Sequence, residues 1–206
     1  MKKIGASLLA IFTLFSSTVF GLSNEEIQDA YYKSYIYEQL QDNGTAIDAL
    51  TVVAQVYPEG YTVNLRLGWL YYLNKNYANS LHHYTIAMKA SPDSIEAKLG
   101  YTYPLLAQDK FEQVESIVNK VLQADYYNYY GNLTLVYVLR KQEKYELAES
   151  VCRKMLTLFP TNTSFLVELA LAVEETGDRA VASGIFGDVL ILDPENPTAK
   201  TYLEQN

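Results

Sequence analysis

The sequence predicts an all-α solenoid built from pairs of antiparallel helices. Five positions follow one another at an unbroken step of 34 residues, and four of the five are proline: Pro58, Pro92, Tyr126, Pro160 and Pro194. Proline removes a backbone donor and ends helices, and an internal repeat of this length is typical of stacked helical hairpins. Helix-start signals agree with the phase, because Ser23 precedes Glu26 and Asp93 precedes Glu96 by three residues, the spacing of a capping box.

The step divides most of the chain into five units of equal length. Their bounds are 27–60, 61–94, 95–128, 129–162 and 163–196. The second unit is the clearest, with Leu67 and Gly68 in its first half and Tyr84 and Ala87 in its second half. In such a pattern the small residue lets two helices approach, and the large residue fills the opposite gap. The fourth and fifth units repeat the pattern, and the first is looser.

The third unit departs most from the pattern. Leu99-Gly100 is displaced by two places, Pro104 falls inside the first helix, and Tyr126 stands where the other units have proline. A proline within a helix removes one hydrogen bond and crowds the preceding turn. We therefore expect Pro104 to kink this helix or to shift its start.

Turn signals indicate where the helices end. Asn43-Gly44 and Gly177-Asp178 are predicted to separate the two helices of their units. Asn196-Pro197 is typical of a cap followed by the first residue of a helix. Within the cap segment 197–206, a short helix from Pro197 to about Glu204 is therefore predicted to cover the exposed apolar edge of the last unit.

Together these features resemble the tetratricopeptide repeat (TPR) family over residues 27–196. The resemblance rests on the second unit, with Gly68, Tyr71, Tyr84, Ala87 and Pro92 at the family's places, and on their counterparts in the fourth and fifth units. It implies a right-handed superhelical solenoid. It also implies that the first helix of each unit lines the concave side.

The N-terminus has the pattern of a secretory signal peptide. Lys2 and Lys3 precede an apolar run that ends in small residues before Leu22, so residues 1–21 are predicted to be removed. Because the run approaches the ~18 residues that can span a bilayer, a retained membrane anchor is the alternative. Residues 22–206 are then expected to form a single TPR-like domain with no stable membrane insertion.

Cysteine content and charge indicate a compartment and exclude some partners. Cys152 is the only cysteine, so no intramolecular disulfide can form, and an exported chain without disulfides suits a bacterial periplasm. Without Lys2 and Lys3, 14 basic residues remain against 24 acidic ones, a formal charge of −10. Such a surface repels phosphate backbones, which argues against nucleic-acid binding.

The TPR resemblance implies a candidate binding groove. In that family, places two, five, nine, twelve and thirteen of each unit face the concave side. Place nine is aromatic in four of the five units here, and aromatic side chains supply large contact areas at low entropy cost. The predicted groove residues are Tyr31, Tyr35, Leu65, Trp69, Tyr72, Tyr103, Tyr130, Leu133, Tyr137 and Arg140.

These residues favour a binding surface, although packing between units is the alternative. Water-facing rings indicate a partner, whereas buried rings would only stiffen the solenoid. The predicted partner is a protein of the cell envelope, because leucines such as Leu65 and Leu99 lie between the rings. Two alternatives are a polysaccharide of an export system, which would require more polar groups, and a second copy of the chain.

Charged residues near the groove are few. Arg140 and Lys141 are predicted to be its only cations, either solvated near a helix end or meeting an acidic group of the partner. Glu174, Glu175 and Asp178 form an acidic rim, which is expected to be solvated or to meet a basic segment.

Catalytic and metal-binding motifs are not evident in the sequence. His82 and His83 are adjacent, so on a helix they point about 100° apart and cannot share a metal as residues four apart can. Cys152 occupies a core place and is predicted to be a buried, inert thiol. We expect no enzymatic activity, no cofactor and no metal site.

Overall fold

The structure, a computed structural model, describes residues 21–205 and confirms an all-α solenoid over that range. Eleven helices follow one another there without a strand: α1 (Asn24–Gln39), α2 (Asn43–Val56), α3 (Tyr61–Leu73), α4 (Tyr77–Ala90), α5 (Ile95–Leu106), α6 (Phe111–Ala124), α7 (Tyr129–Lys141), α8 (Tyr145–Leu156), α9 (Thr163–Glu175), α10 (Arg179–Leu192) and α11 (Pro197–Gln205). The predicted signal peptide lies outside the described residues, apart from Gly21. Within residues 21–205, no helix is both long and apolar enough to cross a bilayer.

The helices repeat with the 34-residue step. From α3 onwards the first helix of each pair begins at Tyr61, Ile95, Tyr129 and Thr163, and the capping helix begins at Pro197. The second helices begin at Asn43, Tyr77, Phe111, Tyr145 and Arg179, again 34 residues apart. The proline step in the sequence is therefore the step of the helices.

The start of α5 is fixed by its cap and not by its proline. Ser94 Oγ accepts from the Ala97 backbone N–H at 3.0 Å, which places the helix start in phase with the other units. The predicted shift of this start by Pro104 is therefore wrong, and so is the predicted cap at Asp93. Pro104 lies buried in the last turn of α5, so only Leu105 and Leu106 of this helix follow it. The capping box of Ser23, by contrast, is confirmed.

Each turn inside a helix pair contains one residue with left-handed backbone. These residues also recur every 34 positions, with φ between 53° and 96°: Gln41, Lys75, Asp109, Glu143 and Gly177. The predicted hinge at Gly177-Asp178 is correct, because Asp178 caps α10. The hinge at Asn43-Gly44 is misplaced, because Asp42 caps α2 and puts both residues in its first turn.

Consecutive helices pack in order, and two pairs of first helices also contact each other directly. α3 contacts α5 and α7 contacts α9, in addition to the contacts between chain neighbours. At the C-terminal end, α11 packs on α10, where the rings of Phe186 and Tyr202 lie 4.3 Å apart. This contact covers the apolar end of the fifth unit, as the sequence predicted.

Candidate functional site

The first helices of the pairs border two separate hollows. The N-terminal hollow, of about 800 Å³, is formed by α1, α3, α5 and the start of α7. The C-terminal hollow, of about 520 Å³, is formed by the end of α5, α7, α9 and the residue before α11. The first helices of the pairs therefore supply most of the lining of both hollows, with Tyr84 of α4 added in the N-terminal hollow, and the family resemblance implies such a lining.

Eight of the ten predicted groove residues line one of these hollows. Those in the N-terminal hollow are Tyr31, Tyr35, Leu65, Trp69, Tyr103 and Tyr130. Leu133 and Tyr137 line the C-terminal hollow, whereas Tyr72 and Arg140 line neither. The aromatic residues at place nine are therefore divided between two hollows.

Several lining residues were missed by the sequence analysis. In the N-terminal hollow they are Tyr61, Thr62, Arg66, Tyr84, Ile95, Glu96, Gly100 and Asn128. In the C-terminal hollow they are Thr134, Thr163, Ser164, Glu168 and Asn196. Thr62, Glu96 and Ser164 occupy the same place as Tyr130, so place two of the family pattern would have identified them in the second, third and fifth units.

Three rings from α3 and α5 form a cluster beside the N-terminal hollow. The ring centre of Trp69 lies 5.5 Å from that of Tyr72 and 5.6 Å from that of Tyr103, and the two tyrosine rings are 5.5 Å apart. Tilted and edge-on contacts at these distances stabilise aromatic clusters. Tyr72 therefore packs against Trp69 and Tyr103 without lining the hollow, whereas those two residues do line it.

Trp69 is held further by a network of polar contacts from α1. Its Nε1 donates to Glu38 Oε1 at 2.6 Å, and Glu38 also forms an ion pair with Arg66. Arg66 in turn donates to the hydroxyl and the carbonyl of Ser34, and its guanidinium lies 3.9 Å from the ring centre of Tyr35. Arg66 is thus a groove cation beyond Arg140 and Lys141, which corrects the sequence prediction, but its charge is already paired.

The other charged residue of the N-terminal hollow is Glu96. Tyr61 Oη donates to Glu96 Oε2 at 3.1 Å and lies 2.8 Å from Ser94 Oγ. Among the described residues, no Lys, Arg or His forms an ion pair with Glu96. Its carboxylate is exposed and therefore keeps acceptor sites for a ligand.

Burial raises the pKa of Tyr31, Tyr61 and Tyr103, which line the N-terminal hollow. Desolvation raises the pKa of Tyr31 to about 12, with a smaller contribution from Tyr35. Desolvation also raises the pKa of Tyr61 and of Tyr103 above the usual tyrosine range. At neutral pH these residues therefore offer neutral rings and hydroxyl groups.

The C-terminal hollow has a more polar lining. Hydroxyl groups come from Thr134, Thr163 and Ser164, and Glu168 lies at its edge. Arg140 Nε donates to Glu168 Oε2 at 2.8 Å, so Arg140 is paired within the chain and the prediction of a solvated side chain is wrong.

Histidine and cysteine side chains contribute to neither hollow. His83 Nδ1 lies 2.8 Å from Asn64 Oδ1, and its ring stacks on Tyr71. Cys152 is fully buried, as predicted, and desolvation raises its thiol pKa. No group of three or more potential metal ligands occurs within residues 21–205. The hollows therefore present groups suited to binding: rings, hydroxyls, a paired arginine and one free carboxylate.

Solved structures of low sequence identity share this fold. MamA 41-end from Desulfovibrio magneticus RS-1 aligns with a TM-score of 0.73 at 14% identity, over 84% of this chain and 98% of that chain. YrrB, described as a TPR protein with an unusual peptide-binding site, gives 0.68 at 10% identity, over 88% and 94%. TTC0263, a thermophilic TPR protein in Thermus thermophilus, gives 0.66 at 13%, over 86% and 97%.

At these identities the likeness concerns the fold alone. No protein-family model and no curated protein matches the sequence. The helix pairs, their 34-residue step and the structural neighbours nevertheless agree with one another. The chain therefore has the tetratricopeptide repeat fold that its sequence resembles.

Proposed function

We propose that this chain is a protein-interaction scaffold that binds a segment of another protein in its N-terminal hollow. One observation carries the proposal: a hollow of about 800 Å³ has an aromatic lining that includes Tyr35, Trp69, Tyr103 and Tyr130. Ligand sites are typically concave, apolar and supplied with a few polar groups, and this hollow has that composition. One structural neighbour, YrrB, is described as having a peptide-binding site, which supports peptide binding by this fold.

The rings of the hollow are held in place before any partner arrives. Trp69 is fixed by its bond to Glu38 and by its contact with Tyr103, and Tyr35 is covered by Arg66. Such preorganisation lowers the entropy that is lost on binding. Tyr130 differs, because 67% of it is exposed and it can contact a partner without disturbing the solenoid.

The proposal includes export to the periplasm, where the partner would be an envelope protein. Its support is the basic and apolar pattern of residues 1–21. Cell fractionation and N-terminal sequencing test this step, with processed protein expected to begin at Leu22. The variant Phe15→Arg places a charge in the apolar run and should leave an unprocessed chain in the cytoplasm. Processing of that variant as efficient as that of the original chain would contradict the proposal.

Photo-crosslinking in intact cells tests the binding surface. A benzoylphenylalanine at position 130 is compared with one at position 32, because Tyr130 and Tyr32 are 67% and 66% exposed and only Tyr130 lines a hollow. We expect position 130 to capture an envelope protein that position 32 does not capture. Equal products at both positions, or capture of a second copy of the chain alone, would contradict the proposal.

The captured protein then allows a quantitative test. A synthetic peptide of the crosslinked segment should bind about tenfold more weakly to Tyr130→Ala, because truncating a central interface aromatic typically costs more than about 1 kcal/mol. Isothermal titration calorimetry measures this change. Tyr32→Ala is the matched control and should bind the peptide like the original chain.

A further inference from the structure

We infer that the N-terminal hollow selects a cationic side chain, an arginine or lysine of the bound segment, through Glu96 and the tyrosine rings beside it. This inference rests on the proposed function and specifies the chemistry of the partner. It depends on three features: the charges that line the hollow, the ring faces that it exposes, and the shape of a side chain that can contact the carboxylate and the rings together.

The charge balance leaves one negative charge unmatched. Arg66 and Glu96 are the charged residues that line the hollow. The guanidinium of Arg66 is already engaged by Glu38 and Ser34, so its charge is neutralised within the chain. Glu96 accepts one hydrogen bond from Tyr61 and has no ion-pair partner within residues 21–205. A positively charged group would complement the hollow, whereas an acidic group would be repelled.

The rings around this carboxylate suit a cation as well. Aromatic faces carry negative potential and attract ammonium and guanidinium groups. The hollow already contains one such contact, because the Arg66 guanidinium lies 3.9 Å from the ring centre of Tyr35. The rings of Tyr61, Tyr103 and Tyr130 line the same hollow. Of these rings, that of Tyr130 is 67% exposed and is therefore open to a cation that enters from a partner.

Hydrogen bonding and shape favour arginine or lysine over a quaternary ammonium ion. A carboxylate has about four acceptor sites, and Tyr61 uses one at Glu96, so N–H donors gain bonds that a quaternary ammonium cannot make. Leu65, Ile95 and Leu99 line the hollow and can cover the aliphatic stem of a long basic side chain. The formal charge of −10 for residues 22–206 also attracts basic segments at long range.

Fluorescence of Trp69 provides the test, because it is the only tryptophan and lies in the hollow. The probes are acetylated, amidated octapeptides LALXLALA in which X is Arg, Gln or Glu. At low salt we expect the Arg peptide to bind about fivefold more tightly than the Gln peptide, the size expected for an exposed ion pair, and the Glu peptide to bind most weakly. Equal affinity for all three peptides would overturn the inference.

Glu96→Gln keeps an acceptor for Tyr61 but removes the charge, and should abolish the preference for Arg. Glu112→Gln is the matched control, because Glu112 is also an exposed carboxylate in a first helical turn, that of α6, and lies outside the hollow. This control should keep the preference of about fivefold. Glu96→Lys should reverse the preference toward the Glu peptide, which a general loss of folding cannot produce.

Two further outcomes separate this inference from the proposed function. If position 130 still captures its envelope protein in a Glu96→Gln background and the peptide preference is unchanged by that variant, the scaffold function stands and the charge selection is wrong. If tetramethylammonium chloride changes Trp69 fluorescence and the Arg peptide does not, the hollow is a site for a small cation and the inference is likewise overturned.

Discussion

Arg140 and Glu168 join the first helices of the fourth and fifth units through an ion pair, with Nε and Oε2 2.8 Å apart. The same sequence separation of 28 residues joins Glu38 to Arg66 at the junction of the first and second units. The two pairs thus lie at equivalent places of the repeat with their charges in opposite order. These two junctions accommodate either order of the charges, whereas places twelve and six hold Tyr72 and Gly100, and Leu106 and Thr134, at the other two junctions.

Reversing the charges of the Arg140–Glu168 pair should therefore preserve much of its contribution to the free energy of unfolding. These side chains are only 17% and 15% exposed, so Arg140→Glu places two carboxylates together and should lower the free energy of unfolding by about 2 kcal/mol. The double variant Arg140→Glu with Glu168→Arg should recover all but about 1 kcal/mol, since Glu38 and Arg66 already use this order. Urea denaturation of the four chains of the cycle measures both changes.

A double variant that is no more stable than Arg140→Glu would show that local packing, rather than pairing, determines the order of charges. The exposed pair of Lys33 and Asp29 serves as the control. Because both side chains are exposed, its reversal should leave the midpoint of urea denaturation essentially unchanged.

Tyr84 lies between two glycines and joins the second unit to the third. Its ring atoms would lie 2.8 Å from a Cβ placed at Gly68 and 2.3 Å from one placed at Gly100. Gly100→Ala should therefore force this buried ring aside and lower the free energy of unfolding by about 2–3 kcal/mol. Denaturant unfolding measures the change.

Gly184→Ala is the matched control for this steric argument. Gly184 lies within α10, and no atom comes within 4 Å of an added Cβ. The same substitution should there raise the free energy of unfolding by about 0.5–1 kcal/mol, because alanine favours the helix. A neutral Gly100→Ala variant would show that Tyr84 moves at little cost.

The left-handed residues of the turns offer a site for stabilisation. Lys75 has φ of 58°, a conformation that costs a side-chain-bearing residue about 1–2 kcal/mol and glycine almost nothing. Lys75→Gly should raise the free energy of unfolding by about 0.5 kcal/mol, since part of the gain is lost to the greater freedom of the unfolded chain. Gly177→Ala, at φ of 96°, should lower it by about 1 kcal/mol. Thermal unfolding of both variants measures these changes. Equal changes in the free energy of unfolding for the two substitutions would contradict the argument.

Most of the fold could be predicted from the 34-residue repeat in the sequence. Evenly spaced prolines end the units, and the helices begin in step with them, because each hairpin must present the same faces to both neighbours. The position of Tyr84 between small residues follows from the same requirement. The displaced Leu99-Gly100 indicates a disturbed unit in the sequence, yet Gly100 lies where an added Cβ would come within 2.3 Å of the Tyr84 ring.

The site was less accessible to such reasoning because its polar contacts lie outside the family pattern. Place six holds Arg66 and Glu168, and whether these residues are free or paired depends on the residue at place twelve of the preceding unit. Matching to a family motif compares one place at a time, so it does not identify an ion pair between residues of two units. Glu96, in contrast, lies at place two, which the family pattern assigns to the groove, so its position can be predicted from the sequence.

His83 should make the stability of the chain depend on pH between about 4 and 6.5. Asn64 Nδ2 donates to the carbonyls of Pro58 and Gly60, so Asn64 Oδ1 is left to accept from His83 Nδ1–H, and the imidazole is half-buried. Desolvation, and then the charge of His82, lower the pKa of His83 to about 4. The unfolded chain, with an ordinary histidine pKa of about 6.5, binds more protons in this range, so the free energy of unfolding falls as the pH is lowered.

This pH effect is measured as the difference between the original chain and His83→Gln in urea denaturation at pH 4 to 7. The difference should shrink by roughly 1–2 kcal/mol from pH 7 to pH 4, less than the full pKa change implies because the ring is only half-buried. Taking the difference between the two proteins cancels the contribution of carboxylates such as Glu26 and Asp42, which titrate in both. His82→Gln, at an exposed position, should keep most of the pH dependence of the original chain. A difference that stays constant with pH would mean that His83 titrates alike in the folded and unfolded chains, and its contact with Asn64 would then be solvated.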